Sequence, residues 1–271
     1  MSESSSDEDM TPAELVQTVH NSELSFLPEK SREKYIKAYD VFNTWSHSKG
    51  AKTITEDTLV SYFTELSKTR KSSTLWSIYS MLKATIKAKN EIHIENYPKL
   101  LEFVKKQSTG HKPKKSKIFT ASNIQRFLKE ASDYEFLSTK VVLIIGISGA
   151  CRTNELTFLT TKSIEKHSEK LLLVNLPNTK YNIDRNFVIR DEYVKIVEKY
   201  QALRPADTPH DRLFLQYRKG KCFKHPMGCT KIGGIPREIA TFLGLKDPEE
   251  YTGHCFRRTS AALSSDSGAD L

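Results

Sequence analysis

Four basic side chains in this 271-residue chain stand where the sequence turns, not on long polar faces. Arg152 follows Gly149 in SGACRTNEL. Lys180 lies in PNTKYNID, between two β-like runs. His254 and Arg257 sit three residues apart in TGHCFRR. A guanidinium is a planar fork that meets two anionic oxygens at once, and an ammonium is a mobile point charge. An imidazole can take or give a proton near neutral pH. Each residue also has a plainly structural reading. Arg152 could cap a carbonyl or pair with Glu155, Lys180 could be solvated, and His254 could be a satisfied interior histidine.

The charge of the chain points the same way as the residue types. The formal net charge is +9, but residues 1–23 carry six acids and no Lys or Arg, which leaves 42 bases against 27 acids elsewhere. Such an excess favours a polyanionic partner, because each phosphate neutralised releases a condensed counterion. A basic but partnerless surface is the alternative that composition leaves open. The longest apolar run, VVLIIGI at 141–147, falls far short of the roughly 20 residues needed to span a bilayer. The first residues, MSESSSDEDM, lack the basic and apolar segments of a signal peptide, so an intracellular protein without a membrane partner is expected. Four cysteines, Cys151, Cys222, Cys229 and Cys255, are too few for a disulfide framework and read as free thiols. Cys222, His225 and Cys229, with His210 as a fourth, have unusual spacing for zinc, and no metal is expected.

The elements that must position these residues are mainly helical. Residues 1–23 read as a disordered acidic tail. Between 24 and 106, apolar residues recur every three or four positions: Tyr35, Ala38, Tyr39, Phe42 and Trp45; then Leu59, Val60, Phe63 and Leu66; then Leu75, Ile78, Tyr79, Leu82 and Ile86. With a shorter segment, YPKLLEFVKKQ, they predict a four-helix bundle in which Trp45 and Trp76 serve packing. Thr55 is a candidate N-cap. Residues 68–117 hold 13 Lys or Arg against three acids, and 107–117 read as a basic linker. Its basic run fits a nuclear import signal, a DNA-backbone contact or a solvated tether equally well. From 118 onward a second domain begins, with helices at TASNIQRFLKEA, LSTKVVLIIGISGA, DEYVKIVEKYQAL and IPREIATFLGL, the last opened by Pro236. KLLLVNL and RNFVIR predict a β-hairpin with Lys180 near its bend. RLFLQY is a strand or a buried extended segment. The class is mainly α with a small β-sheet, α+β.

GACRTNEL, a hairpin lysine and TGHCFRR occur in the order found in the tyrosine recombinase (phage integrase) family, which the chain resembles over roughly residues 25–271. The wording YTGHCFRRTSAAL is similar to integrase-like proteins of eukaryotic mobile elements and their domesticated descendants. The resemblance implies a helical core-binding domain followed by an integrase-like catalytic domain, closing on duplex DNA as a clamp. It implies strand cleavage by a tyrosine that forms a 3′-phosphotyrosyl link. Arg152 and Arg257 would then meet the charge growing on the phosphate, because fixed donors must do so where no metal serves. His254 would donate to the phosphate or accept the nucleophile's proton. Lys180 would be the general acid for the leaving 5′-oxygen, and Glu155 would orient the other groups. For phosphate-backbone contacts the candidates are Lys83, Lys87, Lys112, Lys114, Lys115 and Lys117.

One departure from that pattern matters. After the His-x-x-Arg box the family places a second His or Trp and then the nucleophilic tyrosine. Here the last tyrosine is Tyr251, before the box. The expectation is a DNA-binding protein of recombinase descent, associated with DNA integration and recombination, that does not cleave as this chain. A fragment of an active recombinase and a domesticated chromatin or transcription protein are the alternatives. The partner would be double-stranded DNA, with homo-oligomers forming on it. No metal or nucleotide cofactor is expected, and KPKKSK with a DNA partner suggests the nucleus.

Overall fold

The computed structural model describes residues 27–110, 114–176 and 184–266. The acidic tail, Lys112 and Lys180 lie outside them. The chain divides into two compact units, residues 1–113 and 114–271. The division falls inside the segment read as a linker.

The first unit is the expected bundle of four helices: α1 (Arg32–Ser48), α2 (Glu56–Ser67), α3 (Ser72–Asn90) and α4 (Pro98–Gln107). Thr55 Oγ1 accepts from the Thr58 amide at 3.2 Å and opens α2. Gly50, at φ 72, ends the turn after α1. The apolar stripes meet in one core of Phe42, Leu59, Tyr62, Phe63, Leu75, Tyr79, Leu82, Ile86, Leu100 and Val104. Both tryptophans pack against it and tie off their ring nitrogens: Trp45 donates to Glu65 at 3.0 Å and Trp76 to Ser108 at 2.7 Å. Glu56 carries a load that the sequence pattern hides. Its Oε1 accepts from the Lys99 and Leu100 amides at 2.6 and 3.2 Å, which satisfies two donors at the start of α4.

The second unit is built around α6. Its elements are α5 (Ala121–Glu130), α6 (Asp133–Ser148), α7 (Thr153–Phe158), β1 (Ile164–Ser168), β2 (Leu171–Leu176), β3 (Arg185–Arg190), α8 (Glu192–Gln201), β4 (Leu215–Arg218), β5 (Lys221–Pro226), α9 (Cys229–Phe242) and α10 (Cys255–Asp266). Every residue of α6 from Leu137 to Gly146 is buried. Helices α8, α9 and α10 and strand β3 pack around it. Its buried Lys140 is held by Asp133 at 2.7 Å, which satisfies a charge that would otherwise be costly there. The sheet runs β1-β2-β3, antiparallel throughout, with Leu171 opposite Arg190 and Leu176 opposite Arg185.

Strand β1 and the start of α9 differ from the sequence reading, while RLFLQY, read as a strand or an extended segment, contains a strand. Strand β1 was not anticipated; four of its five residues are exposed, so it carries no apolar signature. RLFLQY resolves into β4 and the residues before it, paired to β5 through Lys219 and Gly220, both at positive φ, as a tight two-residue hairpin requires. Helix α9 begins at Cys229, so Pro236 lies inside it instead of opening it. Ile232, Ile235 and Ile239 are all buried, and that packing outweighs the hydrogen bond the proline removes.

Gly146 shows how tightly α6 is packed. A Cβ there would meet Phe256 Cδ2 at 2.7 Å and Cβ at 3.2 Å. Phe256 is 1% exposed and has nowhere to swing. Gly146→Ala should therefore destabilise the second unit by about 1–3 kcal/mol. Urea unfolding followed by circular dichroism will measure it; a midpoint equal to wild type would show that α10 is not seated as described.

Candidate functional site: a guanidinium cluster

The site forms where α6 stops. The Gly149 amide returns to the Ile145 carbonyl, Ala150 adopts φ 45, and the Cys151 amide bonds the Gly146 carbonyl at 2.9 Å. This turn needs glycine at 149, because a Cβ there would lie 2.3 Å from the Phe187 ring of β3. The chain leaves it extended at Arg152, the residue that caps α7. Glu155 reaches back from the first turn of α7, and its Oε2 accepts from the Arg152 amide at 2.7 Å. The same carboxylate binds Arg152 Nη1 at 2.6 Å through Oε1 and Arg185 Nη2 at 2.9 Å through Oε2.

A second turn, a hundred residues later, is brought against the first. Thr153 Oγ1 donates to the Gly253 carbonyl at 3.1 Å. A Cβ on Gly253 would sit 2.3 Å from that hydroxyl and 3.6 Å from Gly233 Cα of α9. Only glycine lets three segments approach so closely. His254 follows, exposed at the turn, and its carbonyl accepts from the Arg258 amide as α10 begins. Cys255, Phe256 and Thr259 point into the core. Arg257, half-buried between them, has its Nη1 buried without a hydrogen-bond partner among the described residues, and the Nε of Arg185 is in the same state.

Residues 114–119 brace this second turn. The Lys117 amide bonds the Glu250 carbonyl at 3.0 Å, and the Thr252 amide donates to Ser116 Oγ at 3.0 Å. Arg258 Nη1 donates to the Ser116 carbonyl, and the Phe119 amide donates to the buried Thr259 hydroxyl at 3.0 Å. The Phe119 and Tyr251 rings stack at 4.9 Å.

The buried Cys151 lies within electrostatic reach of Glu155, Arg185 and Arg257. Burial pushes the Cys151 thiol up to about 12; the Glu155 charge adds to the rise, and the charges of Arg185 and Arg257 oppose it. Four charged or ionisable groups from four segments therefore sense each other at Cys151. Burial also raises Glu155, but hydrogen bonds from the Arg152 amide and guanidinium, with the Arg185 charge, outweigh it and hold the carboxyl below its ordinary value.

No family model matches the chain, and no curated protein matches it. Solved structures do. A lambda integrase dimer bound to a COC′ core site superposes with a TM-score of 0.59, covering 95% of this chain and 91% of that one at 13% identity. The Tn1549 transposon integrase in complex with circular intermediate DNA gives 0.60, over 94% of this chain and 88% of that one at 14% identity. The same integrase with transposon right end DNA also gives 0.60, with the same coverage at 15% identity. The chain has the fold of the tyrosine recombinases and integrases. At such identity the resemblance lies in the path of the backbone.

Within this integrase fold, Arg152, Glu155 and the His254–Arg257 turn come together, and Lys180 lies outside the described residues. Lys83 and Lys87 are exposed on α3 of the first unit. Lys115 is exposed as well, and Lys114, 89% exposed, lies 3.6 Å from Glu250. Lys117 is already partnered, 2.8 Å from Asp247 and 3.5 Å from Glu250. Arg185 escaped the sequence reading. Its only signal was a basic residue at the mouth of the predicted hairpin. Among the described residues, no three His, Cys, Asp or Glu side chains are placed to hold a metal. His210 Nε2 meets the Lys224 carbonyl, and Cys229 donates to Asn154.

The depressed Glu155 has a pH signature. A carboxylate whose folded pKa lies below its unfolded one stabilises the protein above the unfolded value and loses that contribution as pH falls through the folded value. Glu155→Gln should therefore lower the Tm at pH 7 and flatten the loss of stability between about pH 5 and pH 3. Asp133, also held low, titrates in both proteins and cancels in the difference. Parallel Tm-against-pH curves would contradict the assignment.

Proposed function

We propose that this chain is a DNA-binding protein of tyrosine recombinase descent, and that the cluster at Arg152, Glu155 and Arg257 holds a phosphodiester of the DNA backbone. The observation that carries this reading is the Nη1 of Arg257, buried without a partner among the described residues, just past the turn that the Thr153–Gly253 hydrogen bond holds against the start of α7. A buried donor on a charged group is costly to leave unmade. An anionic oxygen is the partner that satisfies it, and the net positive charge of the chain favours a polyanion as its source. The fold supports the choice, since solved structures that share it are complexes with DNA.

In this reading Arg257 and Arg152 share the non-bridging oxygens, and His254 stands at the rim to donate to the phosphate or take a proton. Lys180, between β2 and β3 in the sequence, acts on the leaving oxygen. Lys83, Lys87 and Lys115 supply sequence-independent backbone contacts. A nuclear location and an origin in a mobile element belong to the same proposal.

The nucleophile is a separate matter. No tyrosine follows Tyr251 in this sequence. Tyr251 is 8% exposed and stacked on Phe119, and burial raises its hydroxyl pKa. These residues hold a phosphate but offer no tyrosine after the box to attack it.

Duplex binding followed by fluorescence anisotropy across a salt series tests the proposal. Wild type should bind with a steep negative slope of log K against log salt, and Lys83→Ala with Lys87→Ala should make it shallower by about 1.8, roughly 0.9 per contact. Arg257→Ala alone should reduce it by about 0.9. A wild-type affinity indifferent to salt removes the proposal. With a 5′-bridging phosphorothioate duplex, which traps covalent intermediates, this chain should yield no adduct; a trapped adduct would show that a nucleophile is present after all.

A further inference from the structure

Glu155 is a single carboxylate, but it serves two guanidiniums. Arg152 has Oε1 at 2.6 Å, and Arg185 has Oε2 at 2.9 Å. The two arginines come from different elements. Arg152 caps α7, and Arg185 is the first residue of β3, in register with Leu176 of β2. Glu155 is 12% exposed at its side chain, and each arginine is 32% exposed. The carboxylate is therefore inside, with the guanidiniums outside it. A lone Arg–carboxylate pair tends to close as a fork on a fork, using both oxygens and cancelling both charges. Here Oε2 takes the Arg152 amide at 2.7 Å and Arg185 at 2.9 Å, and the Arg152 guanidinium holds Oε1.

We propose that Arg185 is a positioning residue of the phosphate site: by sharing Glu155 Oε2 with the Arg152 amide it takes up part of the carboxylate's charge that would otherwise fall to the Arg152 guanidinium, so that three guanidiniums and one carboxylate leave two positive charges in excess. The inference rests on the phosphate-holding reading of the same site. A phosphodiester carries one negative charge, so a surplus of two lets the cluster hold it with positive charge to spare.

The rival account is that Arg185 is a strap that fastens β3 to α7 and nothing more. Charge bookkeeping separates the two. The probe is tungstate, a tetrahedral dianion, titrated calorimetrically into the full chain at low ionic strength. Wild type should take up one tungstate. Arg185→Lys, which keeps the charge, should stay within about threefold of wild type, while Arg185→Ala should weaken binding by about tenfold or more. The decisive protein is the double variant Arg185→Ala, Glu155→Gln. It removes one positive and one negative charge, restores the surplus, and should recover binding to within about threefold of wild type. A mere strap predicts the opposite, since the double variant has lost both ends of the clasp. Should Arg185→Ala fail to fold by near-ultraviolet circular dichroism, Arg185→Gln replaces it. Unchanged binding in the single variant, or no recovery in a folded double variant, overturns the inference. So does a wild type that takes no tungstate while still binding duplex through Arg257; loss of both would instead remove the underlying reading.

Discussion

Like charges do not gather without a frame. Two unit charges about 4 Å apart repel by roughly 4 kcal/mol under the effective dielectric of a protein surface. Arg152, Arg185 and Arg257 arrive from three separate parts of the chain, and each would be better solvated alone. Two features hold them: the Glu155 carboxylate, which binds two of the three directly, and the Thr153–Gly253 hydrogen bond, which fixes the turn carrying the third. The site depends on that junction, and the junction depends on residues with almost no side chain. Gly149 admits the Phe187 ring, and Gly253 admits the Thr153 hydroxyl.

The rest of the second unit can be understood as support for this contact. Helix α6 is buried over ten consecutive residues up to Gly146, and Cys151 directly before Arg152 is sealed from solvent. Helix α10 is seated by Phe256 against Gly146 and by the buried Thr259 hydroxyl, which takes the Phe119 amide. The segment 114–119 is thereby drawn into the body of the unit. Lys117 shows the consequence. Its position in a basic run suggests a charge free for a phosphate, yet its Nζ is partnered by Asp247, Glu250 and the Lys246 carbonyl. A cation that builds the frame is a different thing from a cation the frame presents.

Much of this was legible in the sequence, for reasons that can be named. The helices of the first unit follow from apolar spacing alone, because each buries one stripe against its neighbours, and Thr55 and Gly50 mark ends as their chemistry dictates. The pairing of KLLLVNL with RNFVIR followed from two β-like runs around a turn-rich stretch. The sheet's third strand did not, since four of the five β1 residues are exposed and only Ile164 packs against the core. The start of α9 was hidden because Gly233, Gly234 and Pro236 are local helix-breaking signals, while the buried Ile232, Ile235 and Ile239 that override them act only in the folded unit. Arg152, Glu155, His254 and Arg257 stood out through their resemblance to a known pattern. Arg185 had no such mark. Its importance comes from the register that sets it opposite Leu176 and from the reach of Glu155, and neither is a property of its neighbours in the chain.

That difference bears on what a cluster of this kind can be asked to do. A guanidinium closed on a carboxylate is electrically spent and serves only to fasten two elements together. A guanidinium whose carboxylate is shared keeps part of its field for a third body. Arg152 and Glu155 taken alone would be an ordinary helix-capping pair, which is the structural reading available from sequence. Arg185 changes the meaning of the pair without touching Arg152, and Arg257 adds a donor that the protein itself does not satisfy. The surplus charge and the unmade hydrogen bond sit in the same place and require the same remedy, an anion with several oxygens. On the phosphate-holding reading proposed above, a sugar–phosphate junction is such an anion.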